Sequence, residues 1–240
     1  MKLTKFGDLD VRIAGGTDRE GGGSGPVVVL LHGFGAPGDD LVPLWRTLAA
    51  PRGTRFVFPA APIDLGPKYM GGRAWWFIDL EERMRRRAMG ELPDVREVPA
   101  GLAAARSQVL AVLDDVARTL QPQPGKLVLG GFSQGGMLAL DVALHSPAAL
   151  AGLLAGLVVL SGTHIAADEW GPRLDARRGL PVFLSHGRID ELLPFRVAEG
   201  LRDTLTAHGL RVEWVPFQGG HGIPAAVADG VGAFLSRVLA

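Results

Sequence analysis

Residues 130–136, GGFSQGG, set a serine among glycines: Gly131, Ser133 and Gly135 fill the pattern G-x-S-x-G. In that pattern a serine sits on a sharp strand-to-helix turn with its hydroxyl lifted to the carboxyl edge of a sheet, and small neighbours relieve the crowding of a strained backbone. The flanks supply this context, because KLVLGGF before the serine reads as a buried strand and GGMLALDVAL after it reads as a helix. The plainer alternative is a glycine-rich turn whose serine only caps the helix. Position favours a nucleophile, with amides of the following helix aimed at developing negative charge.

A serine hydroxyl attacks only when a base removes its proton. Of six histidines, His145 and His208 lie at helix ends, where capping the last carbonyls is their expected role. His32 belongs to the glycine-rich turn after the first buried strand, His186 ends another strand, and His164 follows LSG in a loop. His221, in FQGGHGIP between the last strand and the last helix, is expected at the same carboxyl edge as Ser133 and is the candidate base. The imidazole needs an acid to fix its tautomer. Asp190 in HGRIDELLP is preferred over its rivals Glu191 and Asp79 because it follows a strand and gives the chain order serine, acid, histidine. Donors for a tetrahedral oxyanion are expected from the backbone amides of Phe34, in HGFGAPGDD, and of Gln134, the residue after the serine.

These residues need a scaffold that gathers strand ends at one edge. Runs rich in valine and leucine at 26–32, 55–59, 126–132, 157–162, 181–187 and 211–217 read as strands buried on both faces, which marks a parallel sheet. Helical patterns fall between them, so the predicted class is α/β, a mostly parallel sheet flanked by helices in one domain over 1–240. The first residues predict an antiparallel hairpin at the sheet edge, and DREGGGSG, 18–25, predicts a flexible loop. Residues 61–99 break the rhythm and are rich in large apolar side chains, which predicts a cap-like insertion over the site. Within it, ERMRRR lies among Glu81, Glu82, Glu91 and Asp94 and reads as a solvated helix face rather than an anion patch. Met70, Trp75, Trp76 and Phe77 are expected to line an apolar acyl pocket, since aromatic and methionine side chains bury much area and adapt to flexible chains.

Composition narrows the partners. Twenty-five basic residues balance twenty-five acidic ones, so no overall field draws in nucleic acid or an anionic membrane, and a small-molecule acyl ester is the expected partner. The absence of cysteine excludes disulfides, thiolate metal sites and a cysteine nucleophile. No run reaches the length of a membrane span and MKLTKFGDLDVRI lacks a secretory core, which predicts a cytoplasmic location. Neither a metal nor an organic cofactor is expected, and monomer and homodimer remain equally open.

Together, LLHGFGAPGDDL, FPAAP, GGFSQGGMLAL, LSHGRIDELLP and GGHGIP resemble the phospholipase/carboxylesterase group of α/β hydrolases, specifically bacterial carboxylesterases related to acyl-protein thioesterases and lysophospholipases. The resemblance runs from about residue 26 to the end. It implies the α/β-hydrolase fold, with Ser133 as nucleophile, Asp190 as acid, His221 as base, and Phe34 and Gln134 at the oxyanion hole. The segment AWWFIDL and the arginine-rich stretch after it depart from the compact W-F-D or W-Y-D element of relatives. The expected activity is hydrolysis of short- to medium-chain carboxylic esters through an acyl-enzyme. The alternatives are thioesters or lysophospholipids handled by the same triad, and a catalytically silent binding protein on a hydrolase fold.

Overall fold

Five consecutive apolar residues, Val27–Leu31, are all buried, with Val27, Val29 and Leu31 packed into one core cluster and Val28 and Leu30 into another. A strand alternates its side chains between faces, so such a run demands cover on both sides. The computed structural model describes all residues, 1–240, and shows that cover along the central strands; the run at 211–217, expected to be buried on both faces, is instead a partly exposed strand because it lies at the sheet edge. Eight strands, β1 (Lys2–Phe6), β2 (Leu9–Gly15), β3 (Val27–Leu31), β4 (Arg55–Pro59), β5 (Leu127–Phe132), β6 (Leu154–Leu160), β7 (Pro181–Gly187) and β8 (Arg211–Phe217), form one sheet. Their order is β1-β2-β4-β3-β5-β6-β7-β8. The pairs β1/β2 and β2/β4 are antiparallel, which places the predicted amino-terminal hairpin at the edge, and all other pairs are parallel.

The helices are α1 (Leu44–Thr47), α2 (Leu80–Ala88), α3 (Leu102–Thr119), α4 (Gln134–His145), α5 (Ala148–Ala151), α6 (Ala167–Leu174), α7 (Phe195–Ala207) and α8 (Ala225–Val238). Apolar residues of α3, α4, α6 and α7 pack on one face of the sheet, and those of α8 with Leu41 and Leu48 pack on the other. The fold is therefore the α/β-hydrolase class that the sequence predicts. Helix α6 has no counterpart in the sequence reading, because Gly171 and Pro172 inside it resemble a breaker. It holds because Trp170, fully buried, donates its indole N–H to Asp141 at 2.8 Å. The loop at 18–25 is more restrained than its composition suggests. Arg55, 2% exposed, donates to the Gly23, Gly25 and Leu120 carbonyls, and Asp18 accepts from the Glu20 and Gly22 amides.

Between β3 and β5 the strand order reverses direction, opening a crevice at their carboxyl ends where ligand sites form in open α/β sheets. The turns after β3, β5, β7 and β8 all emerge there, carrying residues 32–36, Ser133, Asp190 and His221.

The face covered by α8 depends on an aromatic pair, Phe234 against Phe183 with ring centroids 5.9 Å apart, Phe234 being 1% exposed. Phe234→Ala is expected to destabilise the protein by about 3–5 kcal/mol, read as a lower denaturant midpoint at unchanged slope.

Candidate active site

Ser133 occupies φ 54°, ψ −119°, a region that non-glycine residues avoid and that costs on the order of 1–3 kcal/mol. Its amide is tied to the Leu160 carbonyl at 2.8 Å, and its side chain makes no capping bond to α4. The plain role as a helix cap is thus not the one its hydroxyl takes. Crowding explains the flanking glycines. A Cβ at Gly131 would strike Gly135 and the Leu31 carbonyl, and one at Gly135 would strike the Leu31 and His32 carbonyls. The end of β3 passes so close to the turn that only glycine fits on either side of the serine.

Across the crevice, His221 Nδ1 lies 2.7 Å from Asp190 Oδ2. The other carboxylate oxygen, Oδ1, accepts the Leu192 amide at 2.9 Å and the Leu193 amide at 2.8 Å. Burial pushes the Asp190 carboxyl up, but the His221 hydrogen bond and the Leu193 amide outweigh it and hold the group below the usual carboxylate range. A carboxylate facing Nδ1 makes that nitrogen the N–H donor and leaves the lone pair on Nε2. The two rivals are occupied or misplaced: Glu191 is exposed at the rim, and Asp79 caps α2 by accepting the Glu82 amide at 2.9 Å. The other histidines also find partners. His145 meets the Asp141 carbonyl, His208 meets Asp175, and His164 stacks on Trp170. His186 stands out. Fully buried, it points Nε2 at the Leu193 carbonyl (2.9 Å) and 3.3 Å from Asp190 Oδ2, so the acid is flanked by two imidazoles, and burial pulls this second one towards its neutral form. Sequence gave it only a strand-end position; its i, i+4 spacing to Asp190 was the available signal.

The turn after β3 is held by His32. Its Nε2 accepts the Ala61 amide at 2.9 Å, so Nδ1 carries the proton donated to the Gly33 carbonyl at 2.8 Å. Burial, assisted by Arg73, pulls this histidine down to about 4, against the pull of the Gly33 carbonyl. Further along, the Gly35 amide donates to the Arg73 carbonyl while the Phe34 amide donates to no backbone acceptor. Gln134 opens α4, where an amide has no intrahelical partner, so both expected oxyanion donors are uncommitted to the backbone.

Ser133, His221, Gly33 and Phe34 line one cavity of about 700 Å³ including its open mouth. Its apolar wall comes from Phe132, Met137, Ile78, Leu80, Met84, Leu192 and Leu193. The insertion at 61–99 does cover the site, but the four residues expected to form the acyl pocket do not line it. Met70 is 95% exposed and Phe77 63% exposed, whereas Trp75 and Trp76 are buried in the core. The reason is a hydrogen-bond clamp. The fully buried Gln134 side chain accepts the Trp75 amide at 2.9 Å and donates to the Trp76 carbonyl at 2.8 Å, and the Trp75 indole donates to the His32 carbonyl at 2.9 Å. The tryptophans thereby anchor the cap and turn inward, and lining the cavity falls to α2 instead. Its residues Leu80, Arg83, Met84 and Arg87, spaced i, i+3, i+4, i+7, share the face turned to Ser133. The solvated-face reading holds for Arg85 and Arg86, which pair with Glu82, but not for Arg83 and Arg87.

A family model described as Phospholipase/Carboxylesterase matches residues 20–239. The chain is similar to acyl-protein thioesterase 1 of Neurospora crassa, 26% identical over 223 residues covering 88% of this chain and 86% of the relative. It is also similar to that of Gibberella zeae, 28% identical over 221 residues covering 88% and 90%. Among solved structures, esterase PE8 superposes with a TM-score of 0.77 at 29% identity over the whole of both chains.

Two outcomes follow from the clamp and the turn. Trp76→Ala is expected to cost about 3–5 kcal/mol of stability while leaving the acyl-length profile of the folded fraction unshifted, checked by denaturation alongside rates on an ester series. His32, neutral when folded but protonating near its ordinary 6.5 when unfolded, lets the unfolded chain bind more protons between those pH values. Its contribution is therefore complete above about pH 6.5 and lost as pH falls towards 4, on the order of 3 kcal/mol. Denaturation midpoints at about pH 7 and about pH 4.5 should converge between the parent and His32→Gln as the pH is lowered.

Proposed function

The chain belongs to the phospholipase/carboxylesterase family, and from that premise we propose that it is a serine carboxylesterase acting on short- to medium-chain esters through an acyl-enzyme. The observation that carries the reading is the strained Ser133 opening into the same cavity as a histidine whose Nδ1 is committed to a buried carboxylate. In this reading Ser133 Oγ attacks the ester carbonyl carbon while its proton passes to His221 Nε2. Asp190 holds the imidazole in the required tautomer and offsets its positive charge. The oxyanion receives the Phe34 and Gln134 amides, the latter backed by the dipole of α4. Collapse of the tetrahedral intermediate expels the alkoxide, which takes the proton from His221 and leaves as the alcohol. Water then repeats the sequence on the acyl-enzyme, with His221 again as base, releasing the acid and restoring the serine.

The cavity's apolar wall suits an acyl chain, with Met84 and Met137 as adaptable surfaces. A thioester enters the same chemistry with a better leaving group, and the names of the fungal relatives favour keeping that reading beside the ester. A silent binding protein is disfavoured, since the nucleophile and base candidates share one cavity, the acid candidate is hydrogen-bonded to the base, and the strain at Ser133 has no structural return as a cap.

Ser133→Ala should lower the kcat for a p-nitrophenyl ester series by at least about a thousandfold with the fold intact; a variant as fast as the parent removes Ser133 from the mechanism. Oxygen esters and thioesters of matched acyl length, compared by kcat/KM, decide between the two readings. Met84→Ala should move the optimum towards bulkier or longer acyl groups, measured on the same series.

A further inference from the structure

Helix α2 carries four arginines that divide into two kinds. On its outer face Arg85 and Arg86 pair with Glu82, and Glu81 is taken by Lys68 at 2.9 Å. On its inner face Arg83 and Arg87 have no carboxylate within ion-pair distance, although both line the cavity that holds Ser133 and His221. Arg87 donates through Nη2 to the Asp190 carbonyl at 2.8 Å, and its Nη1 is buried without a hydrogen-bond partner. Arg83 is burdened by burial, which pulls its guanidinium below the ordinary arginine value, with only Glu97 pulling it back. The two also form part of the wall of an adjoining cavity of about 510 Å³ including its open mouth, lined further by Arg86, Glu91 and Glu97. On the catalytic side the one opposing carboxylate is Glu191, which is exposed.

Holding a partly buried guanidinium with no carboxylate in ion-pair contact is unfavourable, and two such groups stand on one helix face beside Ser133, with Glu97 acting on Arg83 only from beyond that distance. We infer that Arg83 and Arg87 recognise a carboxylate on the substrate, so that esters bearing an anionic group near the scissile bond are preferred over neutral esters of the same length. Arg83 is the freer of the two and supplies the main contact; Arg87, held by the Asp190 carbonyl, offers Nη1 as a fixed second donor. The inference rests on the esterase reading above, and it adds to that reading the charge of the substrate.

The test compares matched pairs. With the anion on the acyl side, mono-p-nitrophenyl adipate is set against p-nitrophenyl hexanoate; with the anion on the leaving group, O-hexanoyl glycolate is set against ethyl hexanoate. In at least one pair the parent should favour the charged ester by roughly ten- to a hundredfold in kcat/KM, the range expected of a hydrogen bond to a charged group. Arg83→Gln should remove most of that ratio, Arg83→Lys should retain more of it, and Arg83→Gln combined with Arg87→Gln should bring it to unity. The pair that responds tells which side of the ester carries the carboxylate. No preference in either pair, or an equal fall on charged and neutral esters in Arg83→Gln, overturns the inference. Hydrolysis of the neutral esters that is lost in Ser133→Ala keeps the esterase reading standing whichever way the charge comparison falls, and a variant that melts early is replaced by Arg83→Lys, which keeps the stem and the charge.

Discussion

Everything at the carboxyl edge depends on how closely the end of β3 approaches the turn between β5 and α4. The Leu31 carbonyl fills the space that side chains at 131 and 135 would need, so the chain must turn there with glycines, and the residue between them is forced to positive φ. The strain at Ser133 is not local to it. It is maintained by two parallel strand pairs, β3/β5 and β5/β6, which stay in register from Val128 up to the turn and whose side chains there are buried on both faces. Relaxing the serine would require withdrawing α4 from the sheet, and with it residues such as Leu138, Leu140 and Val142 from the core, each worth about 1.5–3 kcal/mol of burial.

The same proximity is used a second time. Gln134 opens α4 directly after Ser133 while its side chain reaches to the backbone of Trp75 and Trp76, and Trp75 in turn bonds the His32 carbonyl. One residue thus joins the Ser133 turn, the cap and the turn after β3. Because every link is a buried hydrogen bond, loss of one partner strands the other, at about 1–3 kcal/mol for each unsatisfied group.

Much of this was legible in sequence for reasons of period and order. The valine-rich runs predict strands buried on both faces, and all six are strands, although the last, at the sheet edge, is only partly buried. The chain order of Ser133, Asp190 and His221 mapped onto loops that share an edge, and the Asp190 to His221 hydrogen bond forms where it was expected. What was not legible concerned direction. Trp75 and Trp76 have the composition of a pocket wall, but their orientation is set by a glutamine 58 or more residues away, a long-range pairing that leaves no local pattern. Conversely, Arg83 and Arg87 lie among carboxylates in sequence and look solvated. Only the helix phase, which puts Glu81 and Glu82 with the outer arginines, separates them from their neighbours. Helix α6 was missed because its Gly-Pro pair speaks against a helix locally while Trp170 and Asp141 decide for it at a distance.

The bond from Arg87 to the Asp190 carbonyl gives the cap an uneven capacity for change. Met84 and Arg83 face the cavity and neither side chain makes a hydrogen bond or ion pair to the rest of the chain, so substitutions there change the cavity wall without disturbing the Asp190 loop. Arg87 also supports the main chain of Asp190, the residue hydrogen-bonded to His221. A lineage exploring new substrates would therefore find variation at 83 and 84 accessible, and variation at 87 constrained by the chemistry it accompanies. Within a single turn of helix, the surface that diversifies and the surface that must be inherited lie side by side.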